Sequence, residues 1–207
     1  PVSVWNLTED DVPGITGRRI SIETSSKVWN ACGLRIGGLV TDNAAFHERS
    51  VAENTAGLCS NVIGQYIFGA LAHVSHSDLQ AWYAQQREYY RAMLQDFTTR
   101  TGDLMPGLIV SSPDASIYSV VDVRNIAPAG FDALEFVLFC AQEGVVQVGD
   151  EALTLLTAPM SGFYNMDAGV PNPGRTQMRV AYVETPERMK LVPELLAGLF
   201  AQYLARS

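Results

Sequence analysis

The feature that most constrains the fold is the stretch over residues 79–100, in which Trp82, Tyr89, Met93 and Phe97 recur at intervals of seven, four and four. That spacing sets an apolar stripe along one face of an α-helix, opposite glutamines and charges, and Ser77 and Asp78 supply a cap in front of it. A helix of this length is about 30 Å long and is a natural connector between two layers or domains. The patterns on its two sides differ. Upstream, residues 19–23 alternate like a strand, whereas residues 33–41 are apolar without alternation, as expected for a strand covered on both faces. Residues 44–53, after Asp42 and Asn43, and residues 60–74, with Ile63, Ile67, Ala70 and Leu71 on one face, carry helical spacing. Residues 8–17, rich in acids and containing Pro13 and Gly14, form a surface loop. Downstream of Gly102, Pro106 and Gly107 the pattern changes to short strands over 108–111 and 117–123, with Pro113 and Asp114 at the turn. A helix over 131–142 stopped by Gly144, strands over 145–148 and 178–183, and a closing helical stretch over 189–204 introduced by Thr185, Pro186 and Glu187 complete the chain. The expectation is an α/β chain in two parts, residues 1–77 and 78–207, joined by the long helix.

A chain of 207 residues with 47% hydrophobic content can bury a sizeable core. It contains no run of about 18 apolar residues and no leader resembling a signal peptide, so the expectation is a cytoplasmic protein without a membrane partner. Cys32, Cys59 and Cys140 are odd in number, widely spaced and set among apolar residues, a pattern of reduced, buried thiols. His73 and His76 could share a helix face, but no acid or cysteine completes a ligand set, and no metal site is expected. The net charge of −8, with no basic cluster interleaved with aromatics, argues against nucleic acid as a partner. A small anion held by individual arginines stays compatible with that charge. The opening at Pro1 rather than methionine suggests a fragment.

Chemistry concentrates in residues 24–37. Lys27 is one of only two lysines, the other being Lys190 in a charged helical stretch, and the remaining basic residues are arginines. A lysine amine can be made neutral and nucleophilic by desolvation or by a neighbouring cation, which a guanidinium cannot. Lys27 follows a strand end, where ligands collect in open α/β sheets, and the strand pattern places it between two buried strands. Thr24 and Ser26 bring hydroxyls, and Arg35, between Gly33 and Gly37, brings a planar fork suited to a phosphate. Taken alone, a lysine in such a place is more often a solvated surface group.

Ser/Thr-x-Ser-Lys followed by Gly-x-Arg-x-Gly, here Thr24 to Lys27 and Gly33 to Gly37, resembles the cofactor-lysine signature of the class I and II aminotransferases, pyridoxal-phosphate enzymes of fold type I. The resemblance implies Lys27 as the Schiff-base lysine and Thr24, Ser26 and Arg35 as ligands of the cofactor phosphate. Ser60 and Asn61 are similar to a segment that the family brings toward the neighbouring subunit's cofactor, and residues 112–118 to the start of a strand in the small domain. Arg179, early in a strand ahead of Pro186 and the last helix, is similar to the family's arginine for the substrate α-carboxylate; outside that resemblance it would be a strand-edge arginine in a surface ion pair. Phe163 and Tyr164 fall where the family often places an aromatic near the substrate, and core packing would explain them equally well. Arg175 lies in a Gly/Pro-rich loop and reads as solvated.

The resemblance implies residues 1–77 as the C-terminal part of a large cofactor-binding domain, and residues 78–207 as the connecting helix and the α+β small domain. It covers nearly all of this chain but only about the C-terminal half of a family member. The phosphate-binding helix start, the ring-stacking residue and the aspartate paired with the ring nitrogen find no counterpart in residues 1–23, where Glu9, Asp10 and Asp11 belong to the acidic loop. Residues 52–59 contain no arginine to grip a distal acid, which argues against aspartate or glutamate as substrate. The activity implied is transamination of an α-amino acid with a keto acid, by a homodimer when full length, with the fragment alone inactive. Partial burial and nearby cations would lower the Lys27 pKa in the sense that attack requires. Elimination, cyclisation or oxidation on the same cofactor, or a non-catalytic sensor domain, are the alternatives.

Overall fold

The computed structural model describes residues 3–57 and 60–206; Cys59 lies outside them. The chain divides into two compact units, Pro1–Leu79 and Gln80–Ser207.

In the first unit, β1 (Ile20–Thr24) leads directly into a single turn of helix, α1 (Ser25–Val28). A 3-10 turn at Cys32–Leu34 and β2 (Gly37–Thr41) follow, then α2 (Ala44–Gly57) and α3 (Val62–Gly69). β1 and β2 pair antiparallel, from Ile20 opposite Thr41 to Thr24 opposite Gly37. The loop before β1 is held by two acids, Glu9 within it and Asp42 at the end of β2. Glu9 accepts from the amides of Gly14 and Thr16 at 2.6 and 3.0 Å, and Asp42 accepts from Gly17 N, Arg19 N and Arg19 Nε. Hydrogen bonds from Thr16 and Gly14 pull the Glu9 carboxyl down to about 2. Both acids are spoken for by that loop.

Three expectations fail here. β2 is shorter than the 33–41 span, because Arg35 takes a left-handed backbone (φ 50°) that ends the preceding turn and breaks strand geometry. Neither strand is covered on both faces: Ile22 is 83% exposed, and Ile20, Leu39 and Val40 are also exposed. Lys27 therefore does not lie between two buried strands. Among the described residues of this unit only Ser25 and Gly64 are buried. Cys32 opens the 3-10 turn and is exposed rather than buried.

α4 (His76–Leu104) crosses the division between the units. Its apolar stripe becomes a core contact only in its second half, where Met93, Phe97 and Thr101 are buried while Tyr89 stays exposed. The second unit continues with β3 (Ile109–Val110), β4 (Tyr118–Asp122), α5 (Ala133–Gln142), β5 (Val146–Val148), β6 (Glu151–Leu153) and β7 (Ala158–Pro159). It ends with β8 (Gln177–Ala181), α6 (Pro186–Met189) and α7 (Val192–Leu204). β3, β4, β8 and β7 form one antiparallel sheet in that order.

Side-chain alternation gives the sheet two different faces. Val121, Met178, Val180 and Tyr182 enter a core with Phe97, Phe136, Phe139, Leu196, Leu199 and Phe200. Phe97 meets Tyr182 edge-on at 5.7 Å, and Ser119 and the Tyr182 hydroxyl share a buried hydrogen bond of 2.9 Å. Cys140 is buried in α5, and burial pushes its thiol up to about 11, which keeps it protonated and inert. α4 is tied to α7 by Arg100, which donates to Lys190 O at 2.6 Å and pairs with Asp96 and Glu194. The opposite face carries Tyr118, Val120, Asp122, Gln177, Arg179 and Ala181.

Candidate active site

The β1–β2 ladder ends at the Thr24–Gly37 pair, and the chain between these two residues forms one closed excursion that carries Ser26, Lys27 and Arg35. Its geometry follows from a few local bonds. Thr24 caps α1: its Oγ1 accepts from Ser26 N at 3.2 Å and donates to Ser26 Oγ at 3.1 Å. Ser25, buried beneath the turn, donates from N and Oγ to Ile36 O, each at 3.2 Å. Arg35 Nη1 donates to Cys32 O at 3.1 Å. Gly37 is required for the strands to approach, since a Cβ there would sit 2.6 Å from Glu23 O.

α3 anchors the excursion from the other side. Asn61 caps α3 by accepting from Gly64 N at 3.1 Å, and its Nδ2 donates to Leu34 O at 2.8 Å. Gly64 allows this closeness, because a Cβ would lie 2.7 Å from Leu34 O. The Trp29 ring meets the Phe68 ring of α3 edge-on at 5.6 Å. The resemblance puts Ser60 and Asn61 in a segment that reaches toward the neighbouring subunit's cofactor; within this chain Asn61 also braces the loop that ends in Arg35.

The structure thus puts Thr24, Ser26 and Lys27 on the α1 turn and Arg35 at the end of the 3-10 turn of the same excursion. Lys27 and Arg35 are exposed, so the burial expected to desolvate the Lys27 amine is not supplied by the described residues of this chain. Two hydroxyls, a guanidinium and an amine on one braced excursion are a donor set that suits a phosphate beside an aldehyde.

Arg179 belongs to the second unit. It occupies the third position of β8, an interior strand between β4 and β7, and not a strand edge. Among the described residues its side chain makes no ion pair; its Cζ lies over the Tyr118 ring at 4.4 Å and over the Phe163 ring at 5.0 Å. The surface ion pair that its position alone would suggest is therefore absent there. Phe163 is 57% exposed, so core packing does not account for it. Tyr164 donates its hydroxyl to Gln177 Oε1 at 2.5 Å, and Gln177 Nε2 donates to Asp122 at 2.9 Å. Burial pushes the Asp122 carboxyl up, but hydrogen bonds from Arg124, Gln177 and Thr176 more than offset it and hold the pKa below the usual carboxylate value. Asp122 and Gln177 were missed in the sequence; an acid closing a strand is the one signal that marks them. Arg175, read as solvated, pairs with Asp132 at 3.2 Å.

The first unit is thus an α/β element pair with a capped lysine turn at the end of its strands, and the second an antiparallel sheet with an arginine on an interior strand ahead of the last helices. The chain belongs to the aminotransferase class I and II family, whose profile matches residues 3–171. No curated protein matches it as a relative. Its fold is that of several solved aminotransferases. A Pyrococcus horikoshii kynurenine aminotransferase in complex with PMP is 22% identical, with 91% of this chain and 42% of that one covered at a TM-score of 0.65. An α-aminoadipate aminotransferase from Thermus thermophilus, complexed with N-(5'-phosphopyridoxyl)-L-leucine, is 18% identical over 91% and 43% at 0.67. An aromatic aminotransferase from Pyrococcus horikoshii is 19% identical over 95% and 46% at 0.70. At these identities the likeness is one of fold, and the chain spans less than half the length of the solved structures it matches.

Proposed function

We propose that the protein to which this chain belongs is a pyridoxal-phosphate-dependent aminotransferase that exchanges the amino group of an α-amino acid with a keto acid, with Lys27 as the cofactor lysine. The observation that carries this reading is the Thr24–Gly37 excursion, which carries two hydroxyls and the amine on its first turn and a guanidinium at the end of its second. Family membership and the ligands of the solved neighbours support the choice of cofactor.

Thr24, Ser26 and Arg35 would hold the phosphate, the hydroxyls by hydrogen bonds and Arg35 by its fork. Pyridoxal phosphate, when bound, supplies the electron sink that stabilises charge at the substrate Cα. Lys27 would hold the cofactor by its amine, and the same amine would act as the base that takes the proton from the substrate Cα. Arg179 would orient the substrate by two parallel hydrogen bonds to its α-carboxylate. Fold type I enzymes share sites between two subunits, so we propose a homodimer for the whole protein. This chain alone is expected to be a poor enzyme, because the family's ring-nitrogen aspartate finds no counterpart in residues 1–23.

Product analysis tests the reaction class. With an amino-acid donor and a keto-acid acceptor, the account expects a new keto acid and a new amino acid in equal amounts. Ammonia release in place of the new amino acid would overturn transamination in favour of elimination or oxidation on the same cofactor. Cofactor binding with neither product would instead favour a sensor domain.

A further inference from the structure

An arginine that awaits a carboxylate faces a difficulty of its own: left without a partner it is drawn to any nearby acid, and the bond it then makes must be broken before a ligand can bind. Unit 2 contains such acids, and most of its other arginines use them. Arg100 pairs with Asp96 and Glu194, Arg124 with Asp122, Arg175 with Asp132, Arg188 with Glu184 and Arg206 with Glu143. Arg179 has no such partner among the described residues, and its side chain makes no hydrogen bond there. What it has is two aromatic rings.

Both rings are placed by backbone pairing. Tyr118 is on β4 opposite Ala181, one step diagonally from Arg179, and diagonal neighbours on one face of an antiparallel pair are within reach of long side chains. Phe163 follows β7, whose Ala158 stands opposite Arg179. The turn bearing Phe163 is fixed on all sides. Met160 N donates to Gln177 O at 3.0 Å and Asn172 Nδ2 to Ser161 O at 2.8 Å. Gly174 packs so close that a Cβ would lie 2.6 Å from Met160 and Ser161 backbone atoms. The next residue, Tyr164, is pinned through Gln177 to the buried Asp122.

We propose that Tyr118 and Phe163 are positioning residues that hold the Arg179 guanidinium by cation–π contact, so that its charge is stabilised without occupying its N–H donors. Cation–π attraction acts through the ring quadrupole and requires no donor hydrogen, whereas an ion pair to an acid of the chain would consume the fork that a ligand needs. The ligand class is the carboxylate of an α-amino or α-keto acid. This assignment rests on the carboxylate role proposed for Arg179 above.

The test uses the whole chain, labelled with nitrogen-15, with the Arg179 Nε–Hε resonance as the reporter and propionate as the probe. A proton above an aromatic face is shielded, so the resonance is expected upfield of arginines such as Arg100 and Arg175, which pair with acids and lie over no ring. Phe163→Leu and Tyr118→Leu should each move it back toward them and weaken propionate binding about two- to fivefold, the effect of one exposed cation–π contact. Phe163→Tyr, which keeps a ring, should preserve both, and it separates loss of the ring from loss of the fold. Propionate binding at Arg179 that is unchanged by removing either ring would overturn the clamp and leave the carboxylate role standing. A resonance that responds to ring removal but never to propionate would support the clamp and overturn the carboxylate role.

Discussion

A carboxylate inside a sheet is stable only when its lone pairs are taken, and Asp122 meets that condition. It is 3% exposed and accepts from Arg124 N at 3.0 Å, Arg124 Nε at 2.7 Å, Thr176 Oγ1 at 2.8 Å and Gln177 Nε2 at 2.9 Å. These bonds hold its pKa below the ordinary value, so the stability it contributes is fully present above about pH 4, the unfolded pKa, and is lost as pH falls through the lower folded pKa. Asp122→Asn should therefore lower stability at pH 7 by about 1–3 kcal/mol, the cost of leaving buried donors poorly matched. The gap between the variant and the natural chain should then shrink below about pH 4. Urea unfolding at pH 7 and at pH 3 checks this, and an equal gap at both would contradict it. Glu9 and Asp42, also pulled down by hydrogen bonds, act in both chains and cancel in the difference.

Among the elements, α4 shows how a period becomes a core. Phe97 is 1% exposed and packs edge-on against Tyr182 of the sheet. Phe97→Ala should cost about 3–5 kcal/mol, measured as a lower denaturant midpoint, whereas Tyr89→Ala, on the exposed stretch of the same helix, should cost far less. α4, α5 and α7 were legible because each carries several turns of periodic apolar residues, and α2 because Asn43 caps it, accepting from Phe46 N at 2.9 Å. β6 and β7 were not, since Glu151–Leu153 and Ala158–Pro159 lack the β-branched runs that marked β3 and β5. The start of β2 was misread because nothing about arginine as a residue type announces a left-handed φ, and Gly33 to Ile36 looks like strand until Arg35 turns. Coverage of β1 and β2 was overread for another reason. Apolar residues report what a strand is suited to bury, not what lies beside it in the chain. At the site, the lysine turn was legible as a local motif, whereas the contact of Phe163 with Arg179 exists only through the β7–β8 pairing.

At the scale of the whole molecule, an acidic chain with net charge −8 carries the groups proposed to bind anions in two separate units. The first offers Thr24, Ser26, Lys27 and Arg35 on one braced excursion, and the second offers Arg179 on a sheet face opposite a packed core. The fold is that of the aminotransferases, over less than half of their length. No described helix is long and apolar enough to cross a membrane. Everything proposed for catalysis depends on Lys27 being the amine that carries the cofactor, and the chain contains only one other lysine, Lys190, to confuse the result. The most direct measurement is borohydride reduction of the protein with equimolar pyridoxal phosphate, followed by peptide mapping. The account predicts a stable phosphopyridoxyl label on Lys27, strongly diminished in Arg35→Ala. A label on Lys190, or on no lysine, would contradict it.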